Sequence, residues 1–125
     1  YIKRKPTPIY GDGLQRRDWL YVEDHCRGIY NAMVDGKIGE SYLFGTNQTV
    51  TNIELVDTIH KILVDNGVNG EGVLQYVEDR LGHDRTYQID YTDSKKSLGW
   101  TPKGTKNNYM EYYLDKTVAW YLNNY

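Results

Sequence analysis

Tyr10-Gly11-Asp12-Gly13-Leu14-Gln15-Arg16-Arg17-Asp18-Trp19-Leu20-Tyr21-Val22-Glu23-Asp24-His25 decides how this chain of 125 residues is read. Tyr10 closes a short extended run, and Gly-Asp-Gly supplies the positive-φ positions of a tight turn. Trp19, Leu20, Tyr21 and Val22 then read as a second strand, which makes the segment a β-hairpin. Glu23 and Asp24 fall in the first turn of a helix, where carboxylates favour the positive end of the dipole. Cys26, Ile29, Tyr30, Met33 and Val34 follow at helical spacing, and Gly36 ends that helix.

Outward from this segment, Ser41-Tyr42-Leu43-Phe44-Gly45 reads as a short apolar strand. Thr51-Asn52-Ile53-Glu54 has the form of a capping box. It opens a helix with Leu55, Val56, Ile59, Ile62 and Leu63 inward, stopped by Asn66-Gly67. Residues 73–77 and 86–90 read as strands. Thr92-Asp93 caps a short helix that ends at Leu98-Gly99. Asn108-Tyr109-Met110-Glu111 repeats the capping-box form. The helix it opens carries Met110, Tyr113, Leu114, Thr117, Val118 and Tyr121 on one face. The expected fold is α/β in class (mixed α+β): a small mixed sheet with a β-hairpin and three to four helices.

A net charge of −2 points to neither nucleic acid nor an anionic membrane as partner. No apolar run is long enough to span a bilayer, and no signal peptide opens the chain. The single cysteine, Cys26, cannot close an internal disulfide and reads as a reduced core thiol, which places the protein in the cytoplasm. The 13 tyrosines suit half-buried surface, with an apolar ring and a wet hydroxyl. Residues 1–8 are charged, punctuated by proline and lack a start methionine, so the sequence reads as a chain already under way.

His25, His60 and His83 lack the local spacing of a zinc site, so no metal is expected. His25 and Cys26 are neighbours whose helical directions diverge, which disfavours a thiol–imidazole nucleophile. Gly67, Gly70 and Gly72 follow a helix and open none, so they read as a loop and not as a phosphate-binding turn. What remains is anion recognition. The arginine fork suits phosphate oxygens. Arg17 follows a turn, and Arg80 sits in a Gly-containing loop between strands. Each could equally pair with a local acid: Asp18 for Arg17, Asp79 or Asp84 for Arg80.

The opening segment resembles the "YGDG…RDWLYVEDH" segment of dTDP-glucose 4,6-dehydratases, extended short-chain dehydrogenase/reductase (SDR) enzymes. Asp79-Arg80-Leu81-Gly82-His83-Asp84-Arg85, Leu98-Gly99-Trp100-Thr101-Pro102 and Lys116-Thr117-Val118-Ala119-Trp120-Tyr121 resemble further segments of those enzymes, in the same order. The resemblance covers nearly the whole chain, but only the C-terminal, substrate-binding part of such an enzyme. It implies a parent that oxidises C4 of a dTDP-sugar with bound NAD, eliminates water across C5 and C6 and returns the hydride to C6. It also implies a homodimer. The Rossmann half, with its NAD-binding turn, its Tyr-x-x-x-Lys pair and its acidic pair, is expected upstream, and residues 22–45 are expected to pack on it. Two Tyr-x-x-x-Lys spacings do occur, Tyr91…Lys95 and Tyr112…Lys116. Neither sits on the long helix that SDR chemistry uses, so no catalytic or cofactor-binding residue is assigned.

By the same resemblance, Pro8, Ile9 and Tyr10 lie against the nucleotide, and Arg17 and Asn52 contact its phosphates. Asp79, Arg80 and His83 add further nucleotide-sugar contacts. Asn52 could instead only support its helix cap, and His83 could be a loop histidine paired with Asp84. Asp18, Trp19 and Asp24 read as structural, holding the hairpin to the helix. Leu81 stands where the family has proline, which loosens the loop. The segment between Trp100 and Lys116 is longer than in the family. Another nucleotide-sugar SDR, such as an epimerase or a UDP-glucuronate decarboxylase, is the neighbouring reading. A binding protein without turnover is a third. A reading frame continuous upstream of Tyr1 and encoding a Gly-rich strand–turn–helix would separate the enzyme readings from the third.

Overall fold

The computed structural model describes residues 5–68, 74–103 and 109–125. In chain order the elements are β1 (Thr7–Tyr10), β2 (Arg16–Arg17), α1 (Val22–Asp35), β3 (Val50–Thr51), α2 (Asn52–Asp65), β4 (Leu74–Val77), β5 (Thr86–Tyr87), α3 (Thr92–Leu98) and α4 (Tyr109–Asn124). The chain divides into two compact units. One takes Tyr1–Gln15, Thr51–Arg85 and Lys106–Tyr125; the other takes Arg16–Val50 and Thr86–Thr105.

In the first unit, β1 and β4 run parallel, with Thr7 opposite Leu74 and Tyr10 opposite Val77. Parallel neighbours need a long crossover, and α2 lies on the connection. Its capping box is complete. The Thr51 hydroxyl accepts from the Glu54 N–H at 3.1 Å, and the Glu54 carboxylate accepts from the Thr51 N–H at 2.7 Å. Asn66 and Gly67 end the helix as expected, with Gly67 at φ 77°. α2 packs against α4. Leu63, Tyr109 and Val118 are buried in this unit, as is Ile9 of β1.

The second unit pairs β2 with β5, also parallel, and packs α1 on α3. Its centre is Trp100, fully buried, with Phe44 and Tyr91 edge-on at 4.9 and 5.6 Å between ring centroids. The indole Nε1 donates to the Asp24 carbonyl at 3.0 Å. The Asp24 carboxylate accepts from Arg27 at 2.7 Å and from the Lys103 N–H at 2.9 Å. Asp24 is thus structural as expected, but its tie is to the segment after α3.

The mixed α/β class with four helices and small sheets holds, and the β-hairpin does not. Gly11-Asp12-Gly13 makes the expected tight turn, with Gly11 and Gly13 at φ 57° and 70° and the Gly13 N–H on the Tyr10 carbonyl. The strand after it, however, is Arg16–Arg17, and its partner is β5, not β1. Trp19 and Leu20 are irregular, and Tyr21 is the N-cap of α1. A tight turn fixes only local direction, whereas the partner of β1 arrives through the α2 crossover. Asp18 is structural too. It gathers the N–H groups of Thr46, Asn47 and Ile89 at 2.8, 2.9 and 3.3 Å.

Two further strands shrink. Residues 41–45 form none, and the Leu43 carbonyl accepts from the Ser94 hydroxyl at 2.6 Å in place of a neighbouring strand. Gly45 is required there, since a Cβ would lie 2.4 Å from Ile89. Of residues 86–90, only Thr86–Tyr87 pair, because the Ile89 N–H turns to Asp18. The expected positions Gly70, Gly72, Val73 and Asn108 lie outside the described residues, as do residues 1–4. Cys26 is exposed, not a core thiol. Its helix turns the whole stripe outward, with Ile29, Tyr30, Met33 and Val34 between 54 and 74% exposed.

Candidate functional site

Seven of the eight expected binding residues (Pro8, Ile9, Tyr10, Asn52, Asp79, Arg80 and His83) belong to the first unit, and Arg17 belongs to the second. The centre of the first group is Asp79. Its Oδ1 accepts from the Arg80 N–H at 2.9 Å and lies 2.6 Å from His83 Nδ1, while Oδ2 accepts from Gln15 Nε2 at 2.8 Å. His83 therefore takes Asp79 as a partner. Its side chain is 7% exposed, against 38% for Asp79. Gly11 lies directly against this carboxylate, since a Cβ there would approach Oδ2 to 2.9 Å.

This arrangement answers the question left open for Arg80. Asp79 takes only its backbone N–H, and no carboxylate pairs with its guanidinium among the described residues. The guanidinium instead lies 6.0 Å from the centroid of the half-exposed Tyr10 ring, whose edge meets His83 at 6.5 Å. A cation and an aromatic face thus share one surface, with the largely buried His83 imidazole beside them. Ile9, by contrast, is buried at 4% exposure. Pro8 is exposed.

Asn52 starts α2. Its backbone N–H is held by the Gln15 carbonyl at 3.0 Å, and the Ile53 N–H by the Gly13 carbonyl at 3.2 Å. With the Glu54 N–H on Thr51, the first donors of α2 are taken within the protein. The backbone start of α2 is thus closed off by the protein itself. In the second unit, Arg17 donates to the Arg16 carbonyl at 2.7 Å and stacks 4.6 Å above the Tyr87 ring. Asp18, its expected alternative partner, is committed to the turn at Thr46 and Asn47.

Sequence reasoning missed two parts of this surface. One is Gln15, 1% exposed, whose burial no periodicity announced. The other is the Asp12–Arg85 ion pair at 2.8 Å, which ties the Gly-Asp-Gly turn to the end of the loop. Arg85 holds the Asp12 carboxyl below its ordinary value of 3.8, helped by the Leu14 N–H. His83 does the same for Asp79, helped by the Arg80 N–H and by Gln15. Both carboxyl pKa values are lowered on folding, so their contribution is complete above the unfolded pKa and disappears as pH falls through the folded one. The chain should therefore lose stability below about pH 3.8. The double variant Asp12→Asn/Asp79→Asn should lose less between pH 5 and pH 2.5. Denaturant melts at the two pH values check this, and equal acid losses would refute it.

A separate cavity of about 410 Å³ lies in the second unit, between Asn47, Asp90, Tyr91, Thr92, Lys95 and Lys96. None of the expected residues lines it. Among the described residues, no three His, Cys, Asp or Glu side chains are grouped to hold a metal ion, and no helix is long and apolar enough to cross a membrane. No Gly-rich turn among them leads from a strand into a helix. Gly11-Asp12-Gly13 follows a parallel strand but runs into Gln15 and β2. The described residues therefore do not fit a dinucleotide pyrophosphate.

Comparison with known proteins identifies the family. A sequence model of the GDP-mannose 4,6 dehydratase family matches residues 1–112. The chain is 43% identical over 130 residues to a dTDP-glucose 4,6-dehydratase of Neisseria gonorrhoeae, covering 98% of this chain and 36% of the relative. An Escherichia coli dTDP-glucose 4,6-dehydratase is 44% identical over 130 residues, with 98% and 35% covered. The chain thus spans about a third of the length of these relatives. Among solved structures, the dTDP-glucose 4,6-dehydratase of Bacillus anthracis in complex with NAD superposes with a TM-score of 0.80 at 41% identity, covering 98% of this chain and 36% of that one. The UDP-glucose 4-epimerase of Thermotoga maritima with UDP-glucose also reaches 0.80, at 32% identity, with 98% and 37% covered. Motif order, fold and matched length lead to one conclusion: this chain belongs to the GDP-mannose 4,6 dehydratase family of extended SDR enzymes.

Proposed function

We propose that this chain is the nucleotide-sugar-binding part of an NAD-dependent dTDP-glucose 4,6-dehydratase, and that it binds without catalysing. NAD chemistry, hydride transfer to and from the sugar, belongs to a dinucleotide-binding domain outside this chain. The observation that carries the reading is the Arg80 guanidinium, displayed over Tyr10 while Asp79 is held by His83 and Gln15. A nucleoside diphosphate supplies the two anionic groups that such a cation lacks. The Asn52 side chain adds a donor for the same phosphates, and Arg17 is read by motif as a phosphate contact of the second unit. The parent enzyme is read as a cytoplasmic homodimer.

Calorimetry with dTDP tests this. Arg80→Ala should weaken binding by about 1.5–3 kcal/mol, the worth of a charge-assisted hydrogen bond. Affinity should fall as salt rises. An Arg80→Ala variant that binds like the parent would remove Arg80 from the site. The epimerase neighbour, with a TM-score equal to that of the dehydratase, keeps a second nucleotide-sugar reading in play. The higher identity of the dehydratase favours the first. Preference for dTDP over UDP in the same titration would support it, and the reverse preference would support the second.

The exposed stripe Ile29, Tyr30, Met33 and Val34 on α1 is read as the face that meets the dinucleotide-binding domain. Alone in water it forgoes about 25 cal/mol per Å² of apolar burial. The chain should therefore self-associate, and Ile29→Lys/Met33→Lys should return it to monomer. Light scattering that shows the unsubstituted chain monomeric at high concentration would sink this assignment.

A further inference from the structure

We propose that Gln15 is a positioning residue for nucleotide binding: it acts through Asp79 to set the pose of the loop that carries Arg80 and His83. The proposal rests on the reading of that loop as a nucleotide contact. Gln15 is 1% exposed in a turn where its neighbour Leu14 is 45% exposed, so the chain turns a polar side chain inward and an apolar one outward. This inverts the ordinary order of burial.

The inverted pair has a use. Gln15 joins three segments. Its carbonyl accepts the Asn52 N–H at 3.0 Å, and its Nε2 donates to Asp79 Oδ2 at 2.8 Å. Asp79 in turn holds the Arg80 N–H and His83 Nδ1 through Oδ1. The start of α2 and the Arg80 loop, sixty-odd residues from Gln15 along the chain, are thus referred to one side chain. The other end of the amide, Oε1, is buried with no hydrogen-bond partner among the described residues. A half-satisfied buried amide is costly, and methionine would fill the same volume without that cost. The donor given to Asp79 is what the glutamine supplies and methionine does not.

The test uses the full chain with dTDP as probe. Gln15→Met should weaken dTDP binding about tenfold in calorimetry. It should also move the Asp79 carboxyl titration, read by carbon NMR, upward, because a donor to the ionised form is lost. A residue that only fills space would leave that titration where it is. In a double-mutant cycle with Asp79→Asn, the two losses should not add, since Gln15 has no route to the loop once the carboxylate is gone. An unmoved Asp79 titration, unchanged affinity or additive losses would each overturn the proposal. Should Gln15→Met fail to fold, Gln15→Glu keeps the size and places a second carboxylate by Asp79. It must then raise the Asp79 titration and weaken dTDP, or the proposal falls. If the unsubstituted chain does not bind dTDP, the nucleotide reading fails, and the proposal falls with it. An upward shift of Asp79 in Gln15→Met would then show only that the Gln15–Asp79 hydrogen bond forms.

Discussion

Incubated with dTDP-glucose and NAD, the purified chain should leave the sugar unchanged, with no 4-keto product above the uncatalysed background. Dehydration of this kind needs a nicotinamide held over C4 and a tyrosine whose hydroxyl a nearby lysine makes acidic. The described residues fit neither need. The first backbone donors of α2 are spent on Gln15, Gly13 and Thr51, so the backbone at that helix start offers no cradle to a dinucleotide pyrophosphate. Of the two Tyr-x-x-x-Lys spacings, Tyr112 and Lys116 stand in α4, with the lysine Nζ 5.0 Å above the centre of the Tyr112 ring. A cation over the ring face is held by the ring quadrupole and not by the hydroxyl. Tyr91 is the N-cap of α3, and its ring packs edge-on against the buried Trp100. A coupled assay settles the matter. Turnover that disappears in Tyr91→Phe or Tyr112→Phe would show that the chain carries its own catalytic tyrosine.

Trp100→Ala should be the most damaging single substitution in the second unit. The indole is fully buried, framed by Phe44, Tyr91 and the Arg27 guanidinium at 5.6 Å. Truncating a buried tryptophan costs about 3–5 kcal/mol. It also removes the indole donor from the Asp24 carbonyl, beside the carboxylate that organises Arg27 and Lys103. Whole-chain stability at roughly 0.05–0.15 kcal/mol per residue is on the order of 6–19 kcal/mol, so the loss removes a large share. Trp120→Ala serves as the comparison. That residue is 55% exposed on α4, and its loss should stay under about 1 kcal/mol. Circular dichroism melts of the two variants give the answer. Equal changes in Tm would mean that Trp100 is not the centre of its unit.

Much of the helical structure was legible because its signals are local. Thr51 and Glu54 meet within one turn, and Asn66-Gly67 stops α2 by its own conformational preference. The short helix ending at Leu98-Gly99 was legible for the same reason, with Gly99 at φ 61°. The motif order was also enough to assign the family. Strand pairing was not legible. The turn after Tyr10 looks like a hairpin turn and makes the hydrogen bond of one, yet β1 pairs with a strand more than sixty residues away. No local preference encodes a partner that arrives through a helical crossover.

The site divides along the same line. The sequence by itself, through its motifs, named Arg80, His83 and Asp79 as chemistry to watch. Whether Arg80 was spent on Asp79 or left for a ligand depended on what else reached that carboxylate. The tertiary structure shows what reaches Asp79, namely Gln15 and His83, with no ion pair to the Arg80 guanidinium among the described residues. Gln15 drew no notice in the sequence because a lone glutamine after a glycine turn has no periodicity and no motif of its own. Its role comes from burial and from a carboxylate that the fold delivers from sixty-four residues away. Local rules set which segments become helices and which residue types could bind an anion. Long-range packing set what each of those side chains touches.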